Sequence, residues 1–152
     1  MKKLCILLLF ILFTSFQLHA QHHERRERMK AIKTAYLTEK LNLSSQEAEK
    51  FWPIYNKYER EIFGYKVQKP RKELKRVQEL EASGALDEST AEKSLETLFQ
   101  YESELALTKK KMFQELQGIL SSDRILKLYR AELDFNKKLL SEIRKRGFNE
   151  RP

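Results

Sequence analysis

The feature that most constrains the fold is a run of apolar and aromatic residues that repeats at helical spacing. Its members follow one another at intervals of 3, 4, 3, 4 and 3 residues, so all of them fall on one face of an α-helix. They are Ala48, Phe51, Tyr55, Tyr58, Ile62 and Tyr65. No segment has the pattern of a strand, because β-branched residues never cluster. Glycine and proline, which mark the turns between strands, are scarce. The chain is therefore predicted to be all-α.

Residues that begin and end helices divide this periodic pattern into four helices. Ser44 with Glu47, and Ser89 with Glu92, each match a capping box at a helix start. Gly147 lies where a helix C-cap glycine belongs. The predicted helices cover about residues 24–41, 45–80, 88–117 and 122–146, followed by a frayed tail at 148–152.

Two prolines fall inside the second predicted helix. Pro53 removes the hydrogen bond to the Glu49 carbonyl, but the apolar spacing continues in phase after it. We therefore predict a kink near Lys50–Pro53 and no helix end. Pro70 is predicted to mark a second bend or a restart of the helix.

The second and third helices are long and are joined by a short turn at residues 82–85. Helices joined in this way pack antiparallel, which predicts an extended hairpin about 40 Å long at 1.5 Å per residue. Such a hairpin is too elongated to close into a compact bundle alone. Either the single domain predicted over residues 21–147 is a flat, curved layer of helices, or two copies share their apolar faces. We favour the homodimer.

The first twenty residues have the three parts of a secretory signal peptide. Lys2 and Lys3 are followed by the apolar run Leu4–Phe16, and Ala20 supplies a small residue at the expected cleavage position. The alternative is an uncleaved N-terminal anchor, but a run of thirteen residues, interrupted by Thr14 and Ser15, is short for a membrane span. We therefore predict an exported, periplasmic protein that is cleaved near Ala20 and keeps no transmembrane segment.

Cleavage would change both the thiol content and the charge of the chain. The only cysteine, Cys5, lies in the leader, so the mature chain would have no thiol for a disulfide, a nucleophile or a metal. Loss of Lys2 and Lys3 lowers Lys plus Arg from 30 to 28, against 22 Asp plus Glu, and leaves a net charge of about +6. An exported basic protein is not expected to meet nucleic acid. Its anionic partners would be acidic or unfolded polypeptides, acidic glycans or, transiently, an anionic membrane surface.

No catalytic motif occurs in the sequence, so we predict neither an enzyme nor a cofactor. Glycine-rich phosphate loops, G-x-S-x-G, H-E-x-x-H and paired cysteines are all missing. One metal hypothesis remains, because Gln21, His22 and His23 would place a histidine third from a free mature terminus, suited to Cu(II) or Ni(II). Cyclisation of Gln21 would remove the amine and the site with it.

A basic segment in the second helix is the candidate binding site. Between residues 66 and 76 it holds six cations and one acid, and aromatic residues precede it. Such a surface could attract an anionic or unfolded chain by charge and contact it through aromatic faces. The alternative is a solvated helix face with its aromatic residues in the core. The candidate residues are Trp52, Phe63, Tyr65, Lys66, Lys69, Arg71, Lys72, Lys75 and Arg76.

Two short motifs and one longer stretch resemble known exported proteins. Leu43–Glu47 (LSSQE) and Leu120–Arg124 (LSSDR) each open a helix, as the repeated L-T-x-x-Q motif does in Spy/CpxP-like periplasmic proteins. Both copies have Ser for Thr, and they replace Gln by Glu and Arg respectively. The stretch Glu47–Tyr58 (EAEKFWPIYNKY) is similar to small exported proteins of Bacteroidetes-type bacteria that are described as sensors of ECF-type sigma factors.

The resemblance, which covers most of residues 24–146, implies a cradle-shaped helical dimer. It implies either an ATP-independent chaperone that binds unfolded proteins, or an envelope-stress sensor that docks one specific membrane partner of an ECF-type sigma factor pathway. A third possibility is a passive helical spacer whose apolar stripe is entirely buried in its own dimer interface.

Overall fold

A computed structural model of the chain describes residue 24 and residues 27–149. All regular structure in this part of the chain is helical, and it contains no strand. Helix α1 covers residues 27–41, α2 Ser45–Phe63, a π-helical segment Gly64–Gln68, α3 Lys69–Ser83, α4 Glu88–Leu116 and α5 Ser122–Asn149. Since α2, the π segment and α3 follow one another without a break, the prediction of an all-α chain with four helices is confirmed.

The contacts divide the chain into two compact units. The first unit joins the described residues up to Asn42 to those from Lys127 onward, where the rings of Tyr36 and Phe135 lie 5.6 Å apart. The side chains of Leu37 and Leu41 are fully buried in α1. Ile32, on another face of the same helix, is 50% exposed. The buried face of α1 is therefore the one that carries the two leucines.

The second unit, Leu43–Leu126, is an antiparallel helical hairpin. Residues progressively farther along α2 and α3 contact residues progressively earlier in α4: Tyr58 bonds to Glu115, Tyr65 lies beside Tyr101, and Arg76 bonds to Ser94. Its buried side chains include Phe51, Tyr55 and Tyr58 on α2, and Met112 and Leu116 on α4. Three residues of the stripe predicted from the sequence thus lie in this core, while Ala48, Ile62 and Tyr65 are only half-buried.

The helix starts of the hairpin are capped by side chains, one as predicted and one differently. The hydroxyl of Ser44 accepts from the backbone N–H of Glu47, and the Glu47 carboxylate accepts from the N–H of Ser44 at 2.9 Å, so the predicted capping box is confirmed. At α4, however, Asp87 is the N-cap and accepts from the N–H of Thr90 at 2.7 Å. The predicted box at Ser89 is wrong, because the N-cap lies two residues earlier, at Asp87, and Ser89 is already inside α4.

Two glycines behave differently at helix ends. Gly84 adopts φ +71°, the left-handed region that favours glycine, and Ala85 donates to the Leu80 carbonyl at 2.9 Å. This arrangement ends α3 at Ser83, three residues beyond the predicted boundary. Helix α5 instead continues through Gly147 to Asn149, because a glycine inside a helix costs only about 1 kcal/mol and does not by itself force an end.

The continuous helix formed by α2, the π segment and α3 runs through both of its prolines. Pro53 lies inside α2, so the predicted continuation of the helix is confirmed. Pro70 lies in the first turn of α3, directly after the π segment, in which Lys69 donates to the carbonyl of Gly64. Pro70 has no N–H to offer the Lys66 carbonyl, and the helix before it widens from α to π hydrogen bonding.

Across the described residues, no helix combines the length and the apolarity that crossing a bilayer requires. The predicted leader, residues 1–20, lies outside the described residues. The same holds for Gln21, His22 and His23 and for the last three residues of the tail.

Candidate functional site

The basic segment forms one wall of an open groove along the hairpin of the second unit. The groove has a volume of about 640 Å³. Its lining residues, called here the basic groove, are Lys69, Lys72, Glu73, Lys75, Arg76 and Glu79 on α3 and Tyr101 on α4. Four of the candidate residues are thus brought together on one surface, as successive turns of α3 place them there.

Two tyrosines hold a lysine at one end of the basic groove. The ammonium of Lys69 lies 3.7 Å from the ring centroid of Tyr65 and 5.7 Å from that of Tyr101. The two rings are 6.4 Å apart and tilted by 51°. A cation over an aromatic face is attracted by the ring quadrupole, worth about 0.5–1 kcal/mol where solvent reaches it. The π segment, which carries Tyr65, thereby faces α4.

Arg76 is held in place by a carboxylate and a buried hydroxyl. Its guanidinium donates to Glu73 at 2.6 Å and to the Ser94 Oγ at 2.8 Å, and Ser94 in turn donates to the Thr90 carbonyl at 2.8 Å. The hydrogen bond from Arg76 lowers the pKa of the Glu73 carboxyl, and the same bond raises the pKa of Arg76. This pair orients α3 against α4, and its charges cancel.

The other cations of the segment are weakly paired or form no ion pair. Lys75 forms a 3.5 Å ion pair with Glu79, but both side chains are largely exposed, so the pair is weak. Lys66, Arg71 and Lys72 form no ion pair with any residue that the structure describes. The π segment and α3 therefore carry exposed positive charges that a ligand can contact at Lys66, Arg71 and Lys72 without displacing a carboxylate.

The aromatic candidates divide between this surface and the core. Phe63 is 43% exposed and lies just before the π segment. Trp52 lies fourteen residues before Lys66, about 21 Å along the helix. Its ring contacts Phe51 and Tyr55 edge-on at 4.9 and 5.5 Å. Trp52 thus belongs to an aromatic cluster of α2 and is not brought together with the basic segment.

Tyr101 and Ser94, which complete the site from α4, were missed in the sequence analysis. They contact residues 36 and 18 positions away, so no local pattern shows them. A usable signal was nevertheless present. In an antiparallel hairpin, residues at similar distances on either side of the turn face each other, and the predicted turn at residues 82–85 places both residues opposite the basic segment.

The two copies of the helix-opening motif meet in the second unit. Arg124, from the second copy, donates to both carboxylate oxygens of Glu47, from the first copy, with Nη2 lying 3.1 Å from Oε2. This hydrogen bonding, with that from the Ser44 backbone, holds the pKa of Glu47 at about 2, against 4.5 ordinarily. The acid and the base that depart from the L-T-x-x-Q pattern thus form a bidentate pair between the starts of α2 and α5.

The Glu47–Arg124 pair predicts a stability change in acid. Because the folded-state pKa of Glu47 is depressed, its contribution is complete above about pH 4.5 and is lost as the pH falls toward 2. In urea unfolding between pH 2 and 6, the free energy of unfolding should fall more steeply with decreasing pH for the wild type than for Glu47→Gln. The two curves should converge at the acid end. Parallel curves would contradict the assignment, and Glu49→Gln, on an exposed part of the same helix, is the control.

A second polar cluster joins α2 to the end of α4. Tyr58 donates to Glu115 at 2.6 Å, and Lys57 donates to the same oxygen at 3.3 Å. The bond from Tyr58 lowers the pKa of Glu115, and the bond to Glu115 raises the pKa of Tyr58. The cluster sets the register of the hairpin, as Arg76 and Ser94 do nearer the turn.

Neither a metal site nor a comparison with known proteins adds a residue to the candidate site. Within the described ranges, no three His, Cys, Asp or Glu side chains converge as metal ligands would. The hypothesis for Gln21, His22 and His23 lies outside those ranges and stays a prediction. No family model matches the chain, and neither a curated protein nor a solved structure is found to match it.

Proposed function

We propose that this chain is an exported, non-enzymatic protein that binds unfolded or partner polypeptides through the basic groove, as an ATP-independent chaperone of the Spy/CpxP-like kind. The observation that carries the proposal is the positive surface of the π segment and α3, where Lys66, Arg71 and Lys72 have no ion pair within the described chain. Tyrosine faces and exposed apolar side chains lie beside these charges.

The shape of the basic groove favours an extended polymer over a small molecule. Small-molecule sites are usually concave and bury most of their ligand. This groove is open along two helices and is lined by long, flexible side chains. Its cations accelerate encounter with acidic segments, and the exposed Phe63, Val67 and Leu74 offer apolar contact without requiring one fixed sequence.

Export supports a polypeptide partner over nucleic acid, and the cleavage step can be measured directly. Intact-mass spectrometry of protein recovered from the periplasmic fraction should show loss of residues 1–20. The new terminus should be Gln21 or its cyclised form. Recovery of the precursor with Cys5, retained in the cytosol, would contradict export, and a cyclised terminus would exclude the metal hypothesis at Gln21–His23.

The chaperone activity is tested by following the aggregation of a chemically unfolded client by light scattering. Near-stoichiometric amounts of the protein should slow aggregation without ATP, and added salt should weaken the effect, because exposed charges are screened. The same result should hold for several unrelated clients. Absence of protection across all of them would overturn the chaperone proposal.

A signalling role is the second candidate, favoured by the similarity of Glu47–Tyr58 to sensors of ECF-type sigma factors. In that role the same surface would dock one specific membrane regulator. Crosslinking in cells followed by mass spectrometry separates the two. A single membrane protein would favour the sensor, many unrelated proteins would favour the chaperone, and crosslinks only between copies of this chain would favour the spacer.

A further inference from the structure

Helix α5 carries an exposed apolar row that the sequence analysis did not single out. Tyr129, Leu133 and Leu140 are 44–64% exposed, and spacings of four and seven residues place them on one face. This face is distinct from the buried stripe of Leu128, Ala131 and Phe135 on the same helix. We call the row, together with the exposed cations Arg130 and Lys137 beside it, the α5 seam.

Helix α4 carries a second exposed row, of opposite charge. Leu95 and Phe99 are 55% and 65% exposed. Glu92, Glu96 and Glu102 fall on the same side of the helix, because Leu95, Glu96, Phe99 and Glu102 lie 3, 4, 7 and 10 positions after Glu92. We call these five residues the α4 stripe. Leu95 repeats at helical spacing with apolar neighbours such as Leu98, but it faces solvent.

The charges of both surfaces are unopposed. Within the part of the chain that the structure describes, Glu92, Glu96 and Glu102 form no ion pair, and neither do Arg130 and Lys137. The two surfaces also match in length, about 15 Å from Glu92 to Glu102 and about 17 Å from Tyr129 to Leu140 at 1.5 Å per residue. The charged members of the α4 stripe are acidic, and those of the α5 seam are basic.

We propose that the α4 stripe of one copy docks on the α5 seam of a second copy. Leucine and aromatic side chains would pack between the helices while the glutamates face Arg130 and Lys137. Opposite charges at the edge of an apolar interface set which surfaces pair and speed their encounter. The contact would provide the interface of the homodimer that the elongated hairpin leads us to expect. It does not depend on the basic groove or on any client.

A charge-swap experiment tests the contact. One variant carries Arg130→Glu with Lys137→Glu, so both of its surfaces are acidic; the other carries Glu92→Lys with Glu96→Lys, so both are basic. In sedimentation velocity at low salt, each variant alone should bind itself about tenfold more weakly than the wild type, or worse, because like charges face each other. An equimolar mixture should associate, since each surface then meets its opposite.

Two controls keep the result specific. Lys110→Glu with Lys111→Glu, elsewhere on α4, makes the same change in net charge as the first variant and should associate as the wild type does. Circular dichroism should show that all variants remain helical. The proposal is overturned if the wild type stays monomeric up to about 1 mM, if either variant alone associates like the wild type, or if the mixture does not recover. Client protection is measured separately, so failure of this contact leaves the proposed function standing.

Discussion

Replacing Phe51 by alanine should cost about 3–5 kcal/mol of unfolding free energy, the range found for large aromatic residues in protein cores. Phe51 is fully buried, stacks on Tyr55 at 5.3 Å and meets the edge of Trp52 at 4.9 Å. Removal of the Phe51 ring leaves a cavity beside the rings of Trp52 and Tyr55, and rigid rings cannot move far enough to fill it. Since whole domains are stable by only about 5–15 kcal/mol, the Tm should fall by roughly 10 °C or more.

Phe99→Ala supplies a matched control for this prediction. The substitution is chemically identical, but Phe99 is 65% exposed, so little packing is lost within one chain. Thermal unfolding followed by circular dichroism, at protein concentrations low enough to keep the chain monomeric, should leave its Tm nearly unchanged. Equal losses for the two variants would show that the core does not lie at the α2 aromatic cluster.

Reversing the charge of Lys69 and Lys72 should remove most of the polypeptide binding. These cations line the basic groove, and Lys72 has no ion pair within the described residues. Two glutamates would repel acidic segments and would leave the faces of Tyr65 and Tyr101 without their cation. We expect that about ten times more of the Lys69→Glu, Lys72→Glu protein is needed to slow client aggregation equally.

The Lys110→Glu, Lys111→Glu variant is again the appropriate comparison, because it changes net charge equally outside the basic groove. It should protect clients almost as well as the wild type. The groove variant must also keep a Tm close to that of the wild type, so that loss of protection reports binding and not unfolding. If both variants lose protection to the same extent, net charge and not the basic groove is responsible.

Local patterns were sufficient for the helices and for most of the hairpin core. Phe51, Tyr55 and Tyr58 repeat at intervals that only one helix face satisfies, and all three are buried. The capping box at Ser44 and the turn before Ala85 depend on neighbours within five residues, so their chemistry is visible in the sequence itself.

Contacts between distant residues were not predicted, because no local pattern encodes them. The pair Glu47–Arg124 joins residues 77 positions apart. The π segment arises where Pro70 cannot donate a hydrogen bond. Neither the bidentate geometry nor the change of helix type follows from apolar spacing.

By itself, the sequence determined the helical class, the helix order and which α2 residues form a core, because these depend on the period of one helix and on its caps. Only the tertiary structure decided which of several apolar faces each remaining helix buries. In α1 it buries Leu37 and Leu41 in place of Ile32, and in α4 it leaves Leu95 in solvent. A helix with apolar residues on two sides can bury either, and the partner helix, which local spacing does not specify, makes the choice.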